Sequence, residues 1–143
     1  MSEGFRRVVY KWRSAVSWSL IALPPMIAFN DNVASFQIVA GQSMSPTLNK
    51  EGEKVVLNDI VVVSKTSEFS KGDIVLLTDP TRERRTNLVK RVADISRDGS
   101  SVYVLGDNAD HSTDSRHFGD VPAVMVQGVV KAIVFPPWRV TSL

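Results

Sequence analysis

Past Val33 the chain is cut into short β-branched and aliphatic runs separated by turn-forming residues, a texture that leaves room for little besides a sheet. The runs cover residues 35–40, 54–64, 73–78, 87–95, 101–105 and 124–135, and each is a predicted strand. Between them stand residues 49–53, 70–72, 79–80, 98–99 and 106–122, rich in Gly, Pro, Asn, Asp and Ser. No internal repeat and no low-complexity tract interrupts this alternation. The expected fold class is therefore mainly β, with helix beyond residue 33 a minor component. At 143 residues the chain can bury the core of one domain and is too short for two large ones.

The first 33 residues read differently. Arg6, Arg7, Lys11 and Arg13 against Glu3 give the first thirteen residues a charge of +3, more than the +2 of the whole chain. Basic character is thus confined to an N-terminal arm, which suits membrane orientation or targeting; a nucleic-acid surface would need basic residues spread over a folded face. From Ser14 to Phe29 there is no charged residue. At about 1.5 Å per residue that run spans ~24 Å as a helix, somewhat short of a ~30 Å hydrocarbon core. Trp12 and Trp18 suit an interface, while Pro24 and Pro25 weaken the helix. A cleaved secretory signal ending at Ala28 or Ala34 and a buried helix compete with a retained anchor. The expected division is a basic arm with a single membrane-anchoring helix over residues 1–33 and a β-rich domain over residues 34–143.

Gly41-Gln42-Ser43-Met44-Ser45-Pro46-Thr47-Leu48 is a turn that holds serines between a glycine and a proline. Glycine permits close backbone approach, and Pro46 biases Ser45 towards an extended conformation, so the peptide after Ser43 is stiff. Alone, such a stretch reads as an ordinary surface turn. A reactive serine also needs a base. His111 and His117 lie in a polar, loop-like segment where a solvated or hydrogen-bonded imidazole is the ordinary state. Lys90 is the other candidate. Strand alternation puts it on one face with Leu88 and Val92 and sends Arg91 to the other with Val89 and Ala93. Desolvation there lowers an amine's pKa towards neutrality; the competing reading is a lysine whose stem covers apolar surface while its head reaches water.

The segment from Gly106 to Gly119 is dense in side chains that bond to backbone. It is not an EF-hand loop: counted from Asp107, positions three and five are Ala109 and His111, and counted from Asp110, positions six and twelve are Ser115 and Val121. The absence of cysteine excludes disulfides, thiolate catalysis and cysteine-ligated metals, and the two histidines lack the spacing of a metal pair. No metal and no cofactor is expected.

Taken in order, Ser43-Met44-Ser45-Pro46-Thr47-Leu48, Gly72-Asp73-Ile74-Val75, Lys90-Arg91-Val92 and Gly106-Asp107-Asn108 with Ser112, Asp114, Ser115 and Arg116 resemble the type I signal peptidases. The resemblance runs from the anchor to Arg139. It implies a signal-peptidase-like β-rich catalytic domain beside a membrane, with Ser43 as nucleophile and Lys90 as general base. It also implies that Ser112 orients the lysine amine and that Asp107, Asp114, Arg116 and Met44 support the site. Within the family the layout resembles the mitochondrial inner membrane branch. Only residues 93–105 separate the lysine box from Gly106, where many bacterial relatives carry a large insertion, and the flanks 22–34 and 135–139 agree. That likeness implies a mitochondrial inner membrane location facing the intermembrane space, precursor proteins with cleavable sorting peptides as substrates, and pairing with a homologous subunit. Gly41 departs from the serine that many bacterial members direct at the oxyanion, which leaves the Ser43 N–H as the expected donor. A non-catalytic assembly subunit, a bacterial-type signal peptidase and a self-cleaving repressor are the alternatives. The last would bring a DNA-binding segment that residues 1–33 do not resemble.

Overall fold

Ile74-Val75-Leu76-Leu77, the most continuously buried of the runs, occupies the middle of the sheet, where a strand is covered on both faces. In the computed structural model, which describes residues 33–50, 58–81 and 86–143, the strands are β1 (Ala34–Ile38), β2 (Ile60–Ser64), β3 (Ile74–Thr78), β4 (Asn87–Ile95), β5 (Ser101–Leu105), β6 (Val121–Pro122), β7 (Val126–Phe135) and β8 (Thr141–Ser142). They form one antiparallel sheet in the order β1-β2-β7-β3-β4-β5-β6, with β8 paired to β7. The chain from Ala34 to Leu143 makes one compact unit. The arm and anchor expected in residues 1–33 lie, but for Val33, outside the described residues, as do the first positions of the run expected at 54–64. Among the described residues no helix is long and apolar enough to cross a membrane.

Every strand expected after Val33 is present, some with shifted ends. β4 and β5 keep the expected limits because turn residues bound them on both sides. The run expected to start at Val124 starts at Val126, since Ala123–Met125 forms a 3₁₀ turn after Pro122. β3 and β4 divide the core between two clusters by period-two alternation. Ile74, Leu76 and Val89 join Val39, Met44, Leu48, Val61, Val63, Val130 and Ile133, while Val75, Leu77, Leu88 and Val92 join Val102, Val104, Val121 and Val129.

One face of β1, β2 and β7 stays apolar and outward. Register aligns Phe36 with Val62 and Val62 with Ala132, and the next row aligns Ile38 with Ile60 and Ile60 with Phe135. Phe36 and Ile38 are 67 % and 68 % exposed, whereas the alternating Val61, Val63 and Ile133 are buried.

Candidate active site

The turn carrying Ser43 is pinned from below by its own sequence. Met44 and Leu48 are buried in the core, each burial contributing about 1.5–3 kcal/mol, and Leu48 N–H closes a turn on the Met44 carbonyl at 2.8 Å. Met44 thus supports the site by packing. Gly41 takes φ of +85°, in the region glycine enters without strain, and the Ser45–Pro46 peptide is cis. Ser43 itself is half-buried and lines a groove of about 140 Å³ walled by Ile38, Val39, Leu76, Leu88 and Val89, with Asn87 also at its lining.

Each residue of Gly106-Asp107-Asn108 makes a different tie. Asn108 N–H donates to the Ser43 carbonyl at 3.0 Å, which fixes the peptide of the serine. Gly106 N–H donates to Asp114 Oδ2 at 2.9 Å. A Cβ on Gly106 would collide with both Ser112 Oγ and the Ser43 carbonyl oxygen, so only glycine lets these two groups share the space. Asp107 takes a two-pronged bond from Arg91, Nε to Oδ1 at 2.8 Å and Nη2 to Oδ2 at 2.7 Å. Burial pushes the Asp107 carboxyl up, but the bonds from Arg91 and Thr47 outweigh it and hold it below the ordinary range.

Lys90 sits in β4 opposite Val75, and its residue is 2 % exposed. Its amine donates to Ser112 Oγ at 2.9 Å. Ser112 Oγ in turn donates to Asp114 Oδ2 at 2.7 Å, and Arg116 binds the same carboxylate through Nε at 2.8 Å and Nη2 at 2.6 Å. Burial pushes the Lys90 amine below the usual lysine range; Asp114 pulls it back up, Arg116 pushes it further down, and Asp79 opposes. Burial also pushes the Asp114 carboxyl up, yet the bonds from Arg116, Gly106 and Ser112 prevail and hold it well below the usual carboxylate range. Asp114 therefore stays charged while Lys90 is biased towards neutrality.

The structure brings Ser43, Lys90, Ser112 and Asp114 into one neighbourhood through Gly106, with Asp107 and Arg116 bracing it. The histidines take ordinary loop roles: His111 Nδ1 is 3.5 Å from Asn108 Oδ1, and His117, at 4.0 Å from Asp114, is largely exposed. Three contributors escaped the sequence. Arg91 also reaches the Gly72 carbonyl at 2.8 Å and Thr47 Oγ1 at 3.5 Å, joining its own box to the other three. Ser115 Oγ accepts from Val104 N–H at 2.9 Å and docks α1 (Ser115–Phe118), capped by Asp114, onto β5. The group of Asn49, Asp59 and Arg139 holds the serine turn from behind.

The chain belongs to the signal peptidase family, peptidase S26, whose model matches residues 12–98 and 97–135. That family is one of serine endopeptidases. More particularly, the chain is homologous to the mitochondrial inner membrane protease subunits. It is 32 % identical to subunit 2 of Saccharomyces cerevisiae over 87 % of this chain and 79 % of that protein. Against subunit 2 of Danio rerio it is 30 % identical, over 95 % of this chain and 82 % of that protein. Subunit 1 of Schizosaccharomyces pombe is 31 % identical, over 81 % and 85 %.

Proposed function

We propose that the chain is a membrane-anchored Ser–Lys endopeptidase that removes sorting peptides from precursor proteins, with residues 1–33 as arm and anchor and residues 34–143 as the peptidase domain. One observation carries this reading: Lys90 is buried against Ser112, whose single O–H already donates to Asp114. Towards Lys90, Ser112 has only a lone pair to offer, so the amine spends an N–H there and keeps its own lone pair for Ser43. A neutral buried amine is the base that a serine hydroxyl needs near neutral pH.

In the proposed reaction Lys90 takes the Ser43 proton as Oγ bonds to the scissile carbonyl carbon. The resulting ammonium protonates the leaving amine as the C–N bond breaks, which leaves an acyl-Ser43 ester. Lys90 then takes a proton from water as the water oxygen attacks the ester carbon, and returns it to Ser43 Oγ as that bond breaks. The Ser43 N–H serves the oxyanion. No metal or cofactor enters any step. The small groove beside Ser43 suits small side chains before the cut, presented by a substrate laid along the domain as a strand.

The relatives' names support a place in the mitochondrial inner membrane and a homologous subunit 1 as partner; the intermembrane-space side is what the resemblance to that branch implies. The outward apolar rows on β1, β2 and β7 support a position beside a bilayer.

The test is cleavage, in detergent and with the partner subunit supplied, of an anchored precursor bearing a small residue before the cut. Wild type is expected to cut, and Ser43→Ala and Lys90→Met to lose at least ~10³-fold in rate. If wild type and Ser43→Ala are equally inactive, the chain is an assembly subunit that keeps the fold without the chemistry.

A further inference from the structure

Behind the serine turn lies a second polar group, built from residues far apart in sequence. Asn49 Nδ2 donates to the carbonyls of Val39 at 2.6 Å and Gly41 at 2.8 Å, at the entry of the turn. Its Oδ1 accepts from Asp59 N–H at 2.8 Å, and its own N–H donates to Asp59 Oδ2 at 2.8 Å. Asn49 adopts φ of +50°, a left-handed conformation that asparagine tolerates better than most residues. Asp59 is 0 % exposed, and its carbonyl accepts from Val39 N–H at 2.9 Å. Arg139, in the 3₁₀ turn Pro137–Arg139, completes the group: Nη1 lies 3.2 Å from Asp59 Oδ2 and Nη2 donates to the Thr47 carbonyl at 3.1 Å. One asparagine thus ties the start of the turn to its end, and one arginine ties its far side to the last segment of the chain.

A buried ion pair is a poor stabiliser compared with an apolar replacement of the same volume, because desolvation offsets much of the attraction. What it supplies is direction. A planar guanidinium fixes the Thr47 carbonyl and the Asp59 carboxylate relative to one another, and Thr47 is four residues from Ser43 on a turn with a fixed carbonyl at Ser43 itself. We propose that Asn49, Asp59 and Arg139 form a positioning lock that sets the attack geometry of Ser43 from outside the Ser–Lys pair. This rests on the reading of Ser43 as nucleophile. The three are positioning residues, acting through the backbone of the turn. A serine oxygen displaced by about 1 Å can lose ~10²-fold in rate even when substrate still binds.

The test compares wild type, Arg139→Met, Arg139→Lys, Asn49→Gly and Ser43→Ala as full-length proteins with the partner subunit present, on the same anchored precursor. Glycine accepts the positive φ of residue 49, so Asn49→Gly removes the side-chain bonds without straining the backbone. Arg139→Met and Asn49→Gly are expected to lower kcat by about 10- to 100-fold with KM within about threefold and the pH midpoint of the rate unchanged. Added guanidinium ion is expected to restore part of the Arg139→Met activity, and Arg139→Lys to fall between wild type and Arg139→Met. Unchanged kcat in variants that melt as cooperatively as wild type overturns the lock. So does a loss that follows the unfolded fraction and vanishes on cooling, because the group then serves stability alone. Inactive wild type, or Ser43→Ala as active as wild type, overturns the nucleophile reading first and the lock with it.

Discussion

Burying Lys90 serves the proposed rate and costs stability wherever the amine is charged. Burial lowers its folded-state pKa below the ordinary 10.5, against the attraction of Asp114. Between that lowered value and 10.5 the unfolded chain holds a proton that the folded chain has released, so stability rises with pH across the window. Below the folded pKa both states are protonated and the full cost of burying an ammonium is present. Rate moves in the same direction, because the proposed base works only when neutral. Asp114 does not disturb this, since its contribution is lost only as pH falls through a folded pKa already below the usual carboxylate range. Lys90→Met is therefore expected to abolish cleavage while melting at or above the wild-type temperature near neutral pH. Its melting temperature should also vary less than that of wild type between neutrality and pH ~10. A melting point several degrees lower at every pH would make Lys90 a structural residue.

Among the elements, the serine turn and the Gly106 segment meet at the Ser43 carbonyl, which Asn108 N–H binds and against which Gly106 packs. Gly106→Ala is expected to cost about 1–3 kcal/mol by overpacking against Ser112 Oγ and the Ser43 carbonyl, and to lower cleavage further than its melting temperature accounts for. Paired melting curves and rates on one preparation check this. Strand identities and the face of Lys90 were legible because alternation and turn residues are local properties, and the limits of β4 and β5 show how far that reaches. The expected start at Val124 went to a 3₁₀ turn, which a β-branched residue in a short apolar run does not announce. Asp107, Ser112, Asp114 and Arg116 were reached only by resemblance. Asn49 and Asp59 were not reached at all, and Arg91 and Arg139 were named without their partners, because those partners lie 8 to 92 positions away and residue spacing encodes no such contact.

At the scale of the molecule, the proposed enzyme must meet a substrate held in a membrane, and the rows Phe36-Val62-Ala132 and Ile38-Ile60-Phe135 offer the surface to do so. Phe36 is 67 % exposed, so Phe36→Ser is expected to change stability by no more than ~0.5 kcal/mol. It should leave cleavage of a soluble peptide unchanged and slow cleavage of a bilayer-embedded precursor; equal rates on both substrates would assign the face to another role. The sheet also constrains how such a protein can diverge. Adjacent residues of β4 serve opposite faces, Lys90 towards Ser112 and Arg91 towards Asp107 and Gly72. A single inserted residue within that strand would exchange base and brace and disable both. One added at the turn near Gly99 would be absorbed in solvent. An added residue is thus tolerated at the Gly99 hairpin and not within β4, where the positions of Lys90 and Arg91 fix both the letters and their count.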